Sequence, residues 1–354
     1  MGPFELAADR VLVTGGSGWL GTALLQALFA GLPDYDGPPE KLPEVRALLL
    51  PDEALRLPEN MTTRVGVVRG DIRSRADCDR LCEGASGSVL FHTAGVIHPA
   101  RIRDFHDVNV RGTKNILDAA VEAGVRRAVI VSSNSPFGSN PHPDHRFDEE
   151  SAYNPYMQYG RSKMLMEQVA REFREAGSLE VVIVRAPWFY GPFQPARQTL
   201  FFRMIRDGRA PLVGDGGWCR SMTYVDNLCH GLLLAAASER ASGEAYWIAD
   251  ARPYSMREVI DVVEHLLESE FDQRCSHGRL RLPGLASDVA RGADWALQHL
   301  GLYNQKIHVL SEMNLAIACS IEKARDELGY EPRIALEEGM RRSLAYVLDT
   351  QGAL

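Results

Sequence analysis

The chain has 354 residues, of which 45% are hydrophobic and 24% charged, a balance typical of a globular protein that gives no reason to expect long disordered stretches. Its net charge of -8 excludes the broad positive field that a nucleic-acid backbone requires, so we expect no nucleic-acid partner. The six cysteines form no CxxC pair and Cys78 and Cys82 have no nearby histidine, so we expect reduced thiols and no metal site.

Apolar runs rich in β-branched residues alternate with helical patterns through the first half of the chain. Residues 10–14 (RVLVT) end at a glycine cluster, and leucines then recur at helical spacing from Leu20 to Leu28. Further buried strands are predicted at residues 45–50, 65–71, 88–95, 127–133 and 180–187. Such alternation predicts an α/β fold with a doubly wound parallel sheet of the Rossmann type.

A glycine-rich run, TGGSGWLG, occupies residues 14–21, between the first predicted strand and the first helix. Bare backbone at this place can approach a pyrophosphate at the helix N-terminus, although a tight strand-to-helix turn would have the same composition. The position favours dinucleotide binding. The residues expected to contact the cofactor here are Gly15, Ser17, Gly18, Trp19, Leu20 and Gly21.

Two later loops follow strands that end at the same edge of the predicted sheet. Asp71 can accept a hydrogen bond from an adenine amino group and Ile72 can line the ring. The next strand ends in His92-Thr93-Ala94-Gly95, and we expect Thr93, Ala94 and Gly95 to contact the cofactor. Either loop could be a simple strand cap, but their shared position favours the cofactor.

The end of the second strand indicates which nicotinamide cofactor is bound. An acidic residue at this place holds the ribose hydroxyls of NAD, whereas an arginine accepts the 2′-phosphate of NADP. The strand runs into Asp52 and Glu53, which would repel a phosphate. We therefore expect NAD, while Arg46 and Arg56 leave NADP open.

Tyr159 and Lys163 form a Tyr-x-x-x-Lys pair whose spacing places both side chains on one face of a helix. A neighbouring ammonium stabilises a phenolate, which makes a tyrosine useful as an acid or base, although the same spacing occurs in surface helix pairs. Ser133, at the end of the strand 127–133, can hold a substrate oxygen at the same sheet edge. We predict that these three residues are catalytic.

The composition changes beyond Pro187, where proline, glycine and aromatic residues precede short helical segments and a further strand at 244–250. We predict an NAD(P)-binding Rossmann domain over residues 1–187, with the catalytic residues in it. A smaller, mainly substrate-binding domain is expected over residues 188–354, with some elements returning to the Rossmann core. Residues 33–43 look like a loop inserted between the first helix and the second strand.

Seven collinear blocks resemble the extended short-chain dehydrogenase/reductase family, also called the NAD-dependent epimerase/dehydratase family. Besides TGGSGWLG and YGRSK, these blocks include VNVRGT (108–113), VSSNSPFG (131–138), VRAPWFYGP (184–192), GDGGWCRSMTYVDN (214–227) and CSIEKARDELGYEP (319–332). The resemblance implies that Tyr159 is the general acid/base, that Lys163 lowers its pKa and holds the nicotinamide ribose, and that Ser133 orients the substrate oxygen. It also implies a helix-organising role for Asn109 and a cofactor contact at Pro187.

The residues after Ser133 narrow the reaction that the resemblance implies. Family members that eliminate water or decarboxylate carry acidic residues here, whereas this chain has Asn134 and Ser135, which we expect to contact substrate. Phe137 replaces the usual tyrosine of the family's VYG segment, which puts a substrate contact there in doubt. Hydride transfer without elimination is therefore expected.

Features beyond the catalytic residues point to different substrates. Arg220 matches the arginine that sugar-nucleotide members use against the substrate diphosphate, although an ordinary surface ion pair is the alternative. Trp188 stands where such enzymes often carry asparagine, and we expect it to contact substrate. Residues 280–302 resemble instead the longer hydroxysteroid-dehydrogenase-like branch, and their apolar residues could roof a lipid-like substrate or pack as an ordinary helix: Leu285, Val289, Trp295 and Leu300.

Three functions follow. We expect a nucleotide-sugar epimerase, with a hydroxysteroid-dehydrogenase-like oxidoreductase or ketone reductase as the alternative, and a non-catalytic dinucleotide-binding protein as the third. The segment before the first strand lacks a basic stretch followed by a long apolar run, and residues 228–237 are too short to span a bilayer. We therefore expect a cytoplasmic location and no membrane partner, and the resemblance suggests a homodimer.

Overall fold

A wholly parallel, seven-stranded sheet lies at the centre of the fold, which confirms the predicted fold class. The computed structural model describes residue 6, residues 8–35, residue 37, residues 42–352 and residue 354. The order across the sheet is β11-β6-β5-β4-β1-β2-β3. In chain order, the strands are β1 (Arg10–Thr14), β2 (Glu44–Leu49), β3 (Val65–Arg69), β4 (Val89–His92), β5 (Arg127–Ser133), β6 (Glu180–Ala186), β7 (Trp188–Tyr190), β8 (Pro211–Val213), β9 (Cys219–Arg220), β10 (Met222–Tyr224), β11 (Ala245–Trp247), β12 (Tyr254–Ser255) and β13 (Leu280–Leu282).

Helices cover both faces of this sheet, as the near-continuous apolar strands require. On one face α3, α5 and α6 pack together, and on the other α1 packs against α8. The helices are α1 (Trp19–Ala30), α2 (Glu59–Thr62), α3 (Arg75–Cys82), α4 (Arg103–His106), α5 (Thr113–Glu122), α6 (Met157–Glu175), α7 (Ala196–Arg206), α8 (Val225–Ala237), α9 (Met256–Ser269), α10 (Leu285–His299), α11 (Gln305–Glu312), α12 (Glu322–Leu328) and α13 (Leu336–Gln351). None of the helices that the structure describes is long and apolar enough to cross a membrane.

The carboxyl ends of the central strands meet at one edge, where they can position a site. Thr14, the last residue of β1, lies beside Leu48 of β2 and His92 of β4. Ser133, the last residue of β5, lies beside Ala186 of β6. The loops that follow β1, β4 and β5 therefore emerge next to each other.

The second half of the chain contributes both to this sheet and to small sheets beside it. The strand predicted at 244–250 is the short β11, which pairs with β6 in the central sheet. The pairs β7 with β10, β9 with β12 and β8 with β13 form three two-stranded sheets. The pair β8 with β13 leads directly into α10 and α11, which pack against each other. We call residues 285–312, the two helices and the loop that joins them, the cap.

The predicted insertion at 33–43 lies partly outside the described residues, at 36 and 38–41. Where it is described, it is tied to distant parts of the fold. Asp34 forms an ion pair with Arg342 of α13, and the hydroxyl of Tyr35 donates to the amide oxygen of Asn227 on α8. This loop therefore connects the first helix to the C-terminal part of the chain.

Candidate active site

The glycine-rich turn after β1 is shaped by close backbone contacts. Gly15 has φ +72°, and a Cβ added to it would lie 2.8 Å from the backbone nitrogen of Ala94. A Cβ on Gly21 would overlap the carbonyl group of Gly15. Thr93 donates from its hydroxyl to the carbonyl oxygen of Thr14 at 2.7 Å. Only glycine fits this turn, which brings the loops after β1 and β4 into contact.

The N-terminus of α1 is open for an anion on the side of this turn. Gly18 is the N-cap, no described side chain caps the helix, and a Cβ on Gly18 would meet only the Gly15 carbonyl, at 3.2 Å. The first backbone N–H groups can therefore bind a pyrophosphate. Leu20 is buried in the core and can offer only its backbone, while Trp19 donates from Nε1 to the Pro192 carbonyl at 2.6 Å.

A carboxylate from the end of β2 lies against this turn. The hydroxyl of Ser17 donates to the side chain of Glu53, which places a negative charge where a ribose hydroxyl could be held. Arg46 points elsewhere, because its guanidinium binds the Glu44 carboxylate and the carbonyl of Glu83. The geometry fits NAD and opposes a 2′-phosphate.

The loop after β3 contributes the apolar side chain of Ile72 and the carboxylate of Asp71, which is already hydrogen-bonded to Arg73. Ile72 is buried, and a Cβ on Gly112 would lie 2.6 Å from its Cδ1. The Asp71 carboxylate accepts from Arg73 Nε at 2.9 Å. Burial alone would raise the pKa of Asp71, but the hydrogen bonds from Arg73 hold it below its ordinary value. Its expected adenine contact stays a prediction.

Tyr159 lies in the first turns of α6 with its phenol directed at the end of β5. Burial raises the pKa of Tyr159 to about 12, and a hydrogen bond from the Ser133 side chain opposes this shift. Glu312 of the cap raises this pKa further, while Arg197 of α7 lowers it. The structure therefore brings together the predicted Ser133 and Tyr159, and adds two charged residues that the sequence analysis missed.

Lys163 follows one turn later on α6 and is almost completely buried. Its Nζ donates to the carbonyl oxygen of Val131 at 2.9 Å and lies 3.6 Å from the position that a Cβ on Gly95 would take. Burial lowers the pKa of Lys163 to about 8, while the charge of Glu167 opposes the shift. The ammonium thus lies between the Tyr159 helix and the loop expected to contact the cofactor.

Asn109 connects this loop to the Tyr/Lys helix from within a π-helical turn, Asp107–Gly112. Its Oδ1 accepts from the backbone nitrogen of Val96 at 2.8 Å, and its Nδ2 donates to the Val96 carbonyl and the Ser162 hydroxyl, each at 3.0 Å. Such π-turns often occur at functional sites. Asn109 therefore holds the loop after β4 against the residue that precedes Lys163.

His92 is fixed in the neutral form beneath the site. Its Nδ1 lies 2.7 Å from the hydroxyl of Thr14 and its Nε2 lies 2.8 Å from that of Thr113. Burial, with the nearby charge of Lys163, lowers the pKa of His92 to about 3. A neutral imidazole with a hydrogen bond on each ring nitrogen holds β1, β4 and α5 together and does not exchange protons.

Of the residues after Ser133, Asn134 and Ser135 lie at the site, whereas Phe137 packs in the core. Ser135 Oγ lies 3.3 Å from Ser133 Oγ, and Asn134 is the N-cap of the short 3₁₀ turn Ser135–Phe137. Phe137 is buried against Trp247, with its ring centre 5.1 Å away, and Arg185 lies 4.5 Å above its ring. The position of the usual tyrosine therefore belongs to the aromatic core.

The predicted substrate residues Trp188 and Arg220 lie beyond β6, and Pro187 is the link between β6 and β7. The Trp188 ring packs against Phe201 of α7 at 6.1 Å. Arg220 donates from Nη2 to the carbonyl of Glu312 in the cap at 3.2 Å, and burial lowers its pKa. Its side chain thus faces the cap.

An aromatic and polar wall that the sequence analysis missed links Tyr159 to the cap. The Phe105 ring centre lies 5.9 Å from that of Tyr159 and 5.7 Å from that of Tyr303 in the cap loop. The Tyr303 hydroxyl lies 2.6 Å from His98 Nδ1. The only hint in the sequence is that Tyr303 directly follows the long stretch, 280–302, considered as a roof, because none of these residues belongs to a motif.

The apolar residues of that stretch are not a roof over the site, so that prediction is wrong, and they are not packed in the core either. Leu285, Val289, Trp295 and Leu300 are 71%, 70%, 56% and 76% exposed. The buried face of the cap is polar instead: Asp294 binds His308 Nδ1 at 2.7 Å and accepts from Gln298 at 2.9 Å. Polar side chains of the cap therefore face the rest of the fold, where the sequence analysis considered apolar ones.

Hydrogen bonds hold the cap on the beginning of α6. Gln298 Oε1 accepts from the backbone nitrogen of Gln158 at 3.0 Å, and the hydroxyls of Tyr156 and Ser311 lie 2.6 Å apart. Both contacts are made by residues that come just before Tyr159 in the sequence. The cap therefore lies next to the first turn of the helix that carries Tyr159.

Comparison with known proteins decides the family. The model of the NAD-dependent epimerase/dehydratase family matches residues 11–249, which include the glycine turn, Ser133, Tyr159 and Lys163. The chain belongs to the NAD-dependent epimerase/dehydratase family. The family's NAD dependence and the fit of the turn after β1 confirm the expected cofactor.

Relatives of this family differ in what they act on. An uncharacterised protein of Sinorhizobium fredii is 50% identical over 97% of this chain and 96% of its own length. A 4-hydroxy-2-methyl-3-oxo-4-farnesyl-3,4-dihydroquinoline-1-oxide ketoreductase of Stigmatella aurantiaca is 30% identical over 94% of each chain. The crystal structure of a dTDP-glucose 4,6-dehydratase from Streptomyces venezuelae, with NAD and TYD bound, has a TM-score of 0.74 and 27% identity over 97% of this chain and 98% of that one. The chain is therefore similar both to a ketone reductase and to a nucleotide-sugar enzyme.

Proposed function

We propose that the protein is an NAD-dependent ketone reductase, or secondary-alcohol dehydrogenase, that acts on a hydrophobic, non-nucleotide substrate and releases its product. The observation that carries this proposal is the place of the Tyr159 phenol, beside the Ser133 side chain at the end of β5 and against the buried Phe105 ring, where burial raises its pKa and neither Asn134 nor Ser135 supplies a carboxylic acid. At neutral pH such a phenol stays protonated, which is the form needed to protonate a reduced carbonyl oxygen.

The bound dinucleotide would supply or accept the hydride. Ser133 would hold the carbonyl oxygen by a hydrogen bond, and Tyr159 would pass its proton to that oxygen as negative charge develops. Lys163, buried between α6 and the Gly95 loop, would hold the cofactor's ribose and favour the phenolate that remains. Asn134 and Ser135 supply no carboxylic acid, so elimination of water has no acid or base at this place.

The surroundings of Tyr159 support a hydrophobic substrate. The Phe105 ring lies beside that of Tyr159 and contacts Tyr303 of the cap loop, and Trp188 with Phe201 forms another aromatic pair beyond β6. Aromatic walls with a few polar groups are typical of sites for apolar small molecules. The similarity to a ketoreductase whose named substrate carries a farnesyl group agrees with this reading.

A nucleotide-sugar epimerase, the function that the sequence favoured, is the second candidate. Arg220 supports it, because its guanidinium donates to the Glu312 carbonyl on the substrate side and could bind a diphosphate instead. The similarity to a dTDP-glucose dehydratase points the same way. An epimerase returns the hydride to its substrate, so its NAD is regenerated in each cycle.

The deciding experiment is to identify any nucleotide retained by the purified protein and then to follow NADH absorbance with two substrate panels. We expect consumption of NADH in proportion to hydrophobic ketone, and no net redox change with UDP- or dTDP-sugars. Interconversion of sugar epimers without net NADH consumption, and inactivity toward the ketones, would overturn the proposal in favour of the epimerase. Loss of every activity despite NAD binding would indicate a non-catalytic protein.

Two variants separate the candidates further. Tyr159→Phe should lower turnover by about 10²- to 10⁴-fold while NAD binding, measured by calorimetry, is retained. Tyr246→Phe is the matched control, because it removes a hydroxyl that binds Glu327 away from the site and should leave turnover unchanged. Arg220→Ala should raise KM for diphosphate-bearing substrates only, so an unchanged KM for an active ketone is expected.

A further inference from the structure

Arg197 is a cation near Tyr159 that has no carboxylate partner. It lies in the first turn of α7 and forms no ion pair with any residue that the structure describes. Water reaches this residue, yet burial among protein atoms lowers the pKa of its guanidinium, so the group lies in a cleft. Its positive charge opposes the burial that raises the pKa of Tyr159. A charge in such a place is costly to desolvate without a counter-charge, which an anionic ligand would supply.

The position of Arg197 on α7 relates it to the aromatic pair beyond β6. Phe202 and Ile205 are buried in the core and fix one side of the helix. Arg197 and Phe201 are one turn apart and share the neighbouring side, which is not fully buried. The Phe201 ring packs against Trp188 at 6.1 Å. Arg197 therefore lies one helical turn from an aromatic pair that the proposed function gives to the substrate.

Two further polar side chains lie close to Arg197, one from the loop after β4 and one from the cap loop. Its charge adds to the burial that lowers the pKa of His98 to about 4, and it opposes the burial that raises the pKa of Tyr303. The Phe105 ring centre lies 5.7 Å from that of Tyr303 and 5.9 Å from that of Tyr159. Residues from four separate segments therefore converge around one guanidinium.

His98 and Tyr303 keep one hydrogen-bond donor free between them. The Tyr303 hydroxyl lies 2.6 Å from His98 Nδ1, and the imidazole is uncharged at neutral pH. If the hydroxyl donates to Nδ1, the imidazole keeps its Nε2–H, and if Nδ1 donates, the hydroxyl keeps its own hydrogen. Neither group has another hydrogen-bond partner in the described part of the chain. The pair therefore offers one neutral donor near the Arg197 cation.

The carboxylate of Glu312, which also acts on Tyr159, is balanced by other cationic groups. Its Oε1 lies 4.0 Å from His308 Nε2, and its charge opposes the burial that lowers the pKa of Arg220. Among the described residues, the groups that raise the pKa of Arg197 are phenols, which are uncharged at neutral pH. The positive charge that remains uncompensated in this region is therefore that of Arg197.

We propose that Arg197, together with the His98–Tyr303 pair, binds a carboxylate of the substrate. A planar guanidinium can donate a pair of parallel hydrogen bonds to one carboxylate, and the neutral donor can bind one of the same oxygens. A single cation matches the single charge of a carboxylate, whereas a nucleotide diphosphate carries more than one. The inference rests on the proposed function and narrows it to hydrophobic oxo acids. The carboxylate is unchanged in the reaction, in which NADH is oxidised and the ketone becomes a secondary alcohol.

Calorimetry of the NAD-loaded protein with octanoate and octanamide tests the carboxylate site without turnover. The two probes share a chain and differ in charge. We expect octanoate to bind at least about tenfold more tightly than octanamide, because only the acid forms charge-assisted hydrogen bonds. Arg197→Met should remove this preference and leave the affinity for NAD unchanged. Equal binding of the two probes by the parent, or an undiminished preference in Arg197→Met, would overturn the inference.

Arg203→Met is the matched control, because Arg203 is exposed on another side of α7 and forms no ion pair with a described residue. It should bind octanoate as the parent does, and thermal unfolding should show that both variants are folded. Arg197→Lys keeps the charge without the planar fork, so it should restore part of the preference for octanoate. Weaker binding of NAD by Arg197→Met, with octanoate binding intact, would assign the guanidinium to the cofactor and overturn the inference.

Reduction of 4-oxodecanoate and of its methyl ester by NADH separates this inference from the proposed function. We expect the parent to prefer the acid by at least about tenfold in kcat/KM, and Arg197→Met to lose this preference through KM. Turnover of the ester should change little, since Tyr159 is protonated at neutral pH with or without this charge. Equal use of acid and ester would overturn the inference and leave the ketone reductase standing. Octanoate binding that depends on Arg197, without NADH consumption by either ketone, would support the carboxylate site and overturn the reductase.

Discussion

The carboxylate of Glu167 pairs with the guanidinium of Arg185 at 3.0 Å, and both side chains are almost fully removed from solvent. Glu167 lies one turn beyond Lys163 on α6, and it also accepts hydrogen bonds from the hydroxyls of Ser132 and Tyr153. The ion pair fixes the Tyr/Lys helix to β6, next to the strand that ends in Ser133. A buried pair of this kind is sensitive to the loss of one partner, because the other charge is left uncompensated.

Replacing Glu167 by alanine should therefore destabilise the protein by about 3–5 kcal/mol. Urea unfolding of the apo-protein measures this change. Glu172→Ala, an exposed glutamate on the same helix, should change the free energy of unfolding by less than about 0.5 kcal/mol. Equal effects of the two substitutions would show that the buried pair contributes no more than a surface charge does.

The buried ammonium of Lys163 should give the apo-protein a measurable pH dependence. Its pKa is lowered from 10.5 to about 8, so the folded state favours the neutral amine. Between these two pH values the unfolded chain binds the proton and the folded protein does not, which destabilises the folded state as the pH falls. Stability from this group is therefore present above pH 10.5 and lost as the pH falls through about 8.

Lys163→Met should remove this dependence. Relative to the parent, the variant should be more stable by up to about 3 kcal/mol near neutral pH, and the difference should shrink between about pH 8 and 10.5. Thermal unfolding of both proteins across this range is the measurement. A difference that does not change with pH would mean that the lysine keeps its ordinary pKa in the folded protein.

Ser133 and Ser132 are adjacent on β5 and provide a matched pair. Ser133→Ala removes the hydroxyl that interacts with the Tyr159 phenol by hydrogen bonding, and it should lower kcat by about 10²-fold. Because that bond lowers the pKa of Tyr159, its loss should also shift alcohol oxidation to higher pH. Ser132→Ala removes a 2.6 Å bond to Glu167 and should cost about 1 kcal/mol of stability with little change in kcat. A large loss of kcat in Ser132→Ala together with a loss of stability alone in Ser133→Ala would instead make Ser132 the catalytic residue and Ser133 the structural one.

Glu53 should decide between the two nicotinamide cofactors. Its carboxylate accepts from Ser17 at the glycine turn, so Glu53→Gln should reduce the preference for NAD over NADP by about tenfold in kcat/KM. Steady-state rates with both cofactors measure this ratio. Asp52→Asn, the same chemical change at the neighbouring residue, should leave the ratio close to that of the parent, and a larger effect there would move the assignment to Asp52.

Local patterns predicted the central strands well because each strand is a buried apolar run between polar breaks. The prediction for β5, residues 127–133, agrees with the structure to the residue. The run predicted at 88–95 ends earlier, at His92, because the next residues turn to bond the carbonyl of Thr14 and support the glycine turn. That shortening depends on a contact between two distant loops, which no local pattern contains.

The site was less predictable where it depends on the second half of the chain. Tyr159, Lys163 and Ser133 belong to recognisable motifs, whereas the charges of Arg197 and Glu312 act on the pKa of Tyr159 only because the tertiary fold brings them near. The apolar period of α10 predicts which residues share a face but not which face is buried. That choice follows from the pairing of Asp294 with His308 across 14 residues.

The inner face of the cap consists largely of groups that water can satisfy equally well. Ser287 donates to the carbonyl of Ser311, and the contacts between the cap and the beginning of α6 include hydrogen bonds of Gln298 and Tyr156. Each such bond contributes only about 0.5–1.5 kcal/mol net, since water replaces it when the cap separates from α6. Because these polar contacts do not involve the central sheet, we expect the cap to separate from the helix that carries Tyr159 at a smaller cost in free energy than global unfolding.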